Sequence, residues 1–195
     1  SHISLQLLNV GHQVTIYDDL SLGFEENIDK RAIFIKGSTL DLKLLRNSLS
    51  DNIDLVIHLA AYKAAGESME FPIKYSNNNI NGSINLLNVL LELGIKNLIF
   101  SSSAAVYGYP KYLPIDESHV LNPVNYYGYT KLTVENLIQW YARLGKLNYV
   151  IFRFFNAAGY DIKGRVKCVE QNPAKGGETV LGNERFTEFP FVQVR

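Results

Sequence analysis

Asp54-Leu55-Val56-Ile57-His58-Leu59-Ala60-Ala61, then a strongly apolar helical stretch over residues 78–93 closed by Gly94, then Asn97-Leu98-Ile99-Phe100: this passage decides the fold. A short apolar run bounded by polar or small residues is what a strand buried on both faces requires. A glycine just past the last periodic residue marks a helix end. Two such strands joined by a helix form a parallel pair, because a parallel neighbour can be reached only by a crossover. Working outward, the same pattern repeats. Val14-Thr15-Ile16-Tyr17 and Ala32-Ile33-Phe34-Ile35 lie upstream, and Tyr149-Val150-Ile151-Phe152 lies downstream. Helical periods fall at 40–50 and 125–144, the latter closed by Gly145, and Ile3, Leu5, Leu7 and Leu8 before Gly11 read as a short amphipathic helix. Five strands alternating with helices predict an α/β fold, a Rossmann-like doubly wound parallel sheet.

Composition narrows the partners. The 195 residues are 47% hydrophobic, enough to bury a core of one domain. Nineteen basic and nineteen acidic residues balance, and there is no Lys/Arg stripe of the kind that binds nucleic acid. No run approaches the roughly 20 apolar residues that cross a bilayer, and no signal peptide opens the chain, so a cytoplasmic protein without a membrane partner is expected. Cys168 is alone, which excludes an internal disulfide and a Cys-based zinc cage; it reads as an idle thiol. After Gly159 the periodicity gives way to charged residues, glycines and prolines.

In an open parallel sheet, ligands bind beyond the carboxyl ends of the strands. Asp18-Asp19 ends the strand at Val14. Carboxylates there accept the hydroxyls of an adenosine ribose, or merely cap a turn. Ala60 and Ala61 let a cofactor approach the backbone, or let strand and helix pack tightly. His58 reads as a core histidine, and Lys63 as either a phosphate or ribose ligand or a solvated lysine. Of the asparagines at 77–79 and 81, one is expected to cap the following helix; a buried one can hold backbone in register, since an amide both donates and accepts.

The sharpest signal has two parts. Ser101-Ser102-Ser103-Ala104-Ala105-Val106-Tyr107-Gly108 follows a strand directly, and Tyr126-Tyr127-Gly128-Tyr129-Thr130-Lys131 opens a helix. Tyr127 and Lys131 are four apart and share a helix face. A phenol, ordinarily titrating near 10, becomes a usable base when an ammonium and a cationic nicotinamide favour the phenolate. Ser103, at a strand tip, can hydrogen-bond the reacting oxygen.

These blocks resemble the extended short-chain dehydrogenase/reductases and, within them, the UDP-galactose 4-epimerases. Ser1-His2 is similar to the pair that follows the family's glycine-rich loop, Asp18-Asp19-Leu20 to its ribose-binding turn, and residues 60–68 to its segment beside the nicotinamide. Residues 78–82 resemble its asparagine helix start, and residues 153–159 the stretch where Phe155 faces the cofactor and Asn156 the substrate diphosphate. The resemblance implies NAD as cofactor, a UDP-hexose as substrate and a homodimer built from the helices at 78–93 and 125–144. It implies that Tyr127 takes the proton of the sugar 4-hydroxyl, Lys131 tunes it and holds the nicotinamide ribose, and Ser103 assists. A hydride passes from C4 to NAD, the 4-keto sugar turns, and the hydride returns to its other face. The implied cofactor contacts are Asp18, Asp19, Leu20, Ser38, Thr39, Leu59, Ala60, Ala61, Tyr62, Lys63, Asn79, Ser103, Tyr127, Lys131 and Phe155. Substrate contacts are Lys63, Ser103, Tyr127 and Asn156, and no metal is implied.

Two departures stand out. Ser38-Thr39 replaces the family's adenine-binding Asp, which weakens that contact, although serine still accepts and donates. The first strand and its Gly-x-x-Gly-x-x-Gly turn have no counterpart here, so the chain reads as truncated at both ends. Residues 1–165 are then an incomplete NAD-binding domain and 166–195 a remnant of the substrate-binding region or an irregular tail. Without a central strand, its two neighbours are expected to show unpaired edges. Ala104 and Ala105, where related dehydratases carry an acidic pair, argue against dehydration. Another sugar-nucleotide epimerase, reductase or decarboxylase of the same fold, and a non-catalytic Rossmann remnant, remain open alternatives.

Overall fold

The computed structural model describes residues 2–49, 52–156 and 191–194. Cys168, most of the 166–195 tail and the end of the 153–159 block lie outside the described residues. The elements run α1 (His2–Asn9), β1 (Val14–Asp18), β2 (Ile33–Lys36), α2 (Leu42–Ser48), β3 (Leu55–His58), α3 (Ala65–Glu70) and α4 (Pro72–Tyr75). They continue with α5 (Gly82–Glu92), β4 (Asn97–Ser103), α6 (Tyr126–Arg143), β5 (Asn148–Phe154) and β6 (Phe191–Val194).

Among the described residues the sheet has six strands in the order β2-β1-β6-β3-β4-β5. The pairs β1–β2, β3–β4 and β4–β5 are parallel, as the alternation of strands and helices requires. The sixth strand is a correction. Rather than leaving the facing edges of β1 and β3 unpaired, the chain places β6 between them, antiparallel to both, with Val192 opposite Ile16 on one side and Ile57 on the other. Two rows of unsatisfied N–H and C=O groups facing each other are costly, and an extended segment of either direction satisfies them.

Helices cover both faces. On one, α2, α5 and α6 pack over a core of Leu45, Val56, Leu86, Leu90, Leu98, Phe100, Val134 and Ile138. On the other, Ile3, Leu7 and Leu8 of α1 pack against Val14, Ile16 and Ile57. Asp41 caps α2, its Oδ1 accepting from the Leu44 N–H at 2.9 Å. Asn125 caps α6 through the Gly128 N–H at 2.8 Å. Gly94 and Gly145 end their helices at φ +72° and +68°, where a β-carbon is strained.

The asparagine run differs from expectation. None of it caps a helix: α4 continues through a π-helical turn, Ser76–Asn81, directly into α5. The backbone donors are met inside the winding, so the amides are released for other use. Asn79, 2% exposed, employs its amide as the second reading anticipated. It accepts from the Tyr62 N–H at 2.8 Å and donates to the Tyr62 carbonyl at 2.9 Å.

Candidate active site

The carboxyl ends of β1, β2 and β3 open onto one cleft, lined by Asp18, Asp19, Gly23, Gly37, Ser38, Thr39, Ala60, Ala61 and Tyr62. Seven of these nine residues are sequence-predicted contacts. Asp18 Oδ1 accepts from the Leu20 N–H at 2.7 Å, a turn that sets Leu20 at φ 59°. Burial pushes the Asp18 carboxyl up, against the opposing hydrogen bond from Leu20, and the charge of Asp19 raises it further. The floor is tight. A β-carbon on Gly23 would stand 3.0 Å from Asp18 Oδ2, and one on Gly37 would strike the Tyr17 ring at 2.6 Å. The Tyr17 hydroxyl donates to the Ser38 carbonyl at 2.9 Å. Burial, with Asp41 and Asp19 nearby, pushes that phenol up to about 12, so it stays neutral.

A second group gathers where β4 ends and α6 begins. β4 extends past its apolar residues through Ser103, because the serines continue the ladder with β5 as far as Ser103 opposite Phe154. Ser103 Oγ accepts from the Ala105 N–H at 3.2 Å, capping a short 3-10 turn, and its own O–H is left to donate. Gly128 lies on this turn so closely that a β-carbon would approach the Ala105 carbonyl oxygen to 2.6 Å. The first turn of α6, with Tyr127, is thereby held against the tip that carries Ser103. Lys131, 4% exposed, donates from Nζ to the Ser101 carbonyl at 2.8 Å. The same ammonium stands 5.9 Å from the centre of the Tyr127 ring and 5.0 Å from that of Phe100. Aromatic faces and a carbonyl are favourable company for a buried cation.

The remaining predicted residues sit around these two groups. Leu59 packs into the apolar cluster beneath the sheet, and Lys63 is exposed one residue beyond Tyr62. Phe155, 61% exposed, and the exposed Asn156 follow β5 immediately past the level of Ser103. His58 is a core histidine, as read. Its Nε2 lies 2.8 Å from Ser83 Oγ, and burial, aided by the charge of Lys131, holds it down at about 3.

Two features escaped the sequence reading. Ser102, beside Ser103, donates to the wholly buried Glu135, and Arg153 clasps the same carboxylate while reaching the Tyr107 hydroxyl at 3.2 Å. Glu135 falls one turn after Lys131 on the same helix face, a periodic signal that was available. Ser68, also fully buried, accepts from the Tyr127 N–H at 2.9 Å.

Comparison with known proteins gives a consistent result. The NAD dependent epimerase/dehydratase family matches residues 1–182. The UDP-glucose 4-epimerase of Lactobacillus helveticus is 40% identical over 167 residues, which cover 85% of this chain and 51% of that protein. That of Halalkalibacterium halodurans is 42% identical over 167 residues, covering 85% and 50%. Among solved structures, a UDP-glucose 4-epimerase superposes with a TM-score of 0.85 at 38% identity, over 90% of this chain and 53% of that one. The UDP-glucose 4-epimerase from Brucella ovis in complex with NAD gives 0.81 at 39% identity, over 85% and 51%. The chain spans about half the length of the curated relatives it matches.

Proposed function

Because this chain belongs to the NAD dependent epimerase/dehydratase family, we propose that it carries the cofactor-binding and proton-transfer half of a UDP-glucose 4-epimerase. The observation that carries the reading is the placement of Lys131, at once 5.9 Å from the Tyr127 ring and bonded to the strand that ends in Ser103. An ammonium beside a phenol favours the phenolate. That group is a base for a sugar hydroxyl, with the Ser103 O–H as a donor to the same oxygen.

The cleft residues fit the adenosine end of NAD. Asp18 and Asp19 present acceptors to ribose hydroxyls, Ser38 and Thr39 present polar edges to adenine, and Gly23 and Gly37 keep side chains out of the way. NAD, when bound, supplies the acceptor and then the donor of the hydride at the sugar C4. The protein's part is positional. Ala60 and Ala61 leave room past the carboxyl end of β3, Asn79 fixes the Tyr62 backbone beyond them, and Tyr127 holds or returns the proton. Ala104 and Ala105 bring neither acid nor base to the turn beside Ser103, which favours epimerisation over elimination of water.

Lys63 and Asn156 are assigned to the UDP-sugar, Phe155 to the cofactor. The same proposal takes the protein to be cytoplasmic and homodimeric, with Leu91 of α5 and Trp140 of α6 exposed where two copies would meet. No helix among the described residues is long and apolar enough to cross a membrane.

The test is conversion of UDP-galactose to UDP-glucose, coupled to oxidation of the product. It is run on this chain and on one carrying a glycine-rich first strand ahead of Ser1. Turnover in the latter, falling at least about hundredfold in Tyr127→Phe, is expected. Equal rates with and without the phenol would overturn the assignment.

A further inference from the structure

The first turn of a helix has N–H groups with no carbonyl one turn back. In α6 only part of that need is met locally, by Asn125 on Gly128. The first two N–H groups are met from another element. Tyr126 donates to Met69 Sδ at 3.3 Å and Tyr127 to Ser68 Oγ at 2.9 Å, both acceptors lying on α3. Ser68 is 0% exposed, and its own proton is committed to the Ala65 carbonyl at 2.6 Å, so its lone pair is fixed toward Tyr127. The other polar group of the Tyr127 backbone is held as well. Its carbonyl accepts from Thr130 Oγ1 at 2.7 Å, and Thr130 accepts from Asn79 Nδ2 at 3.1 Å.

Tyr127 sits in the turn that frays, while Lys131 lies one turn deeper with its ammonium fixed on Ser101. Loss of the external acceptor loosens the phenol and leaves the ammonium in place. We propose that Ser68 is a positioning residue for Tyr127, a role that rests on the reading of Tyr127 as the base. Through its backbone bond it keeps the phenol in register with Lys131 and Ser103.

The test uses the full chain, labelled with nitrogen-15 and with 3-fluorotyrosine, as wild type and as Ser68→Ala, Ser68→Thr and Ser68→Val. Threonine and valine share one shape, so their difference isolates the hydroxyl even where added bulk perturbs the core or Ser68→Ala does not fold. Hydrogen-exchange protection of the Tyr127 amide is expected to fall about tenfold or more in Ser68→Ala and Ser68→Val. The Tyr127 fluorine resonance should move toward that of a solvent-exposed tyrosine in the same two variants. Both signals should be retained in Ser68→Thr, and the amides of Leu90 and Leu98 should be unchanged throughout. Equal Tyr127 signals in the threonine and valine variants would overturn the proposal, as would a loss of protection spread evenly through the core. Neither readout needs NAD or a sugar nucleotide, so a failure of this proposal is distinguished from a failure of the epimerase reading, which is read from turnover alone.

Discussion

The guanidinium of Arg153 on β5 closes on the carboxylate of Glu135 on α6, Nη2 to Oε2 at 2.8 Å, with Glu135 wholly buried. The carboxylate is also an acceptor for Ser102, and the pair holds the Arg153 guanidinium well above its usual range. Strand end, helix and edge strand are thereby locked at one point.

Removing one partner of a buried pair strands the other charge in a medium that solvates it poorly. Arg153→Ala is therefore expected to lower the unfolding free energy by about 3–5 kcal/mol. Replacing both residues together, Glu135→Leu with Arg153→Met, should cost less than the single change. Urea denaturation followed by circular dichroism measures both.

His58 makes stability depend on acid. Its folded value, about 3, lies below the ordinary 6.5, so between those limits the unfolded chain binds the extra proton. The contribution is complete above pH 6.5 and is lost as pH falls toward 3, at up to about 1.4 kcal/mol per unit. Unfolding midpoints at pH 7, 6 and 5 should decline more steeply in the wild type than in His58→Gln.

Gly128 is the contact through which α6 meets the turn after Ser103. Gly128→Ala puts a β-carbon against the Ala105 carbonyl oxygen, a backbone atom that cannot swing aside. A destabilisation of about 1–3 kcal/mol is expected, from overpacking. Where epimerase turnover is measurable, kcat should fall more than KM rises, because Tyr127 and Ser103 are pushed apart while the cleft is intact.

Asp18→Asn retains an oxygen for the Leu20 N–H and discards the charge. NAD binding, read by isothermal titration or ligand fluorescence, should weaken about tenfold, as expected for loss of a charge-assisted hydrogen bond. The thermal midpoint without ligand should hardly change.

Much of this was legible in the residues. The apolar runs gave β1 to β5 to within a residue or two at most ends, and Gly94 and Gly145 gave two helix ends, because burial on both strand faces and a left-handed cap leave direct marks. The Tyr127–Lys131 spacing was legible for the same reason, since a turn of helix is a fixed distance. What resisted reading was non-local. The asparagines at 77–81 look like caps until the helix preceding them is known to continue through. Glu135 and Arg153 meet only after β5 is laid beside β4, and the bond from Ser68 to Tyr127 spans two helices far apart in the chain. β4 outran its apolar residues because Ser101 to Ser103 keep a partner in β5.

The interposed β6 has a kinetic consequence. Val194 pairs with Val14 and with Leu55, so the ladders that join the two halves of the sheet link residues far apart in sequence. Contacts of such long sequence separation close late and slowly. On the ribosome the two halves would collapse as separate pieces, each showing a bare edge to its neighbours in the cell, and would be sewn together only once residues 191–194 had emerged.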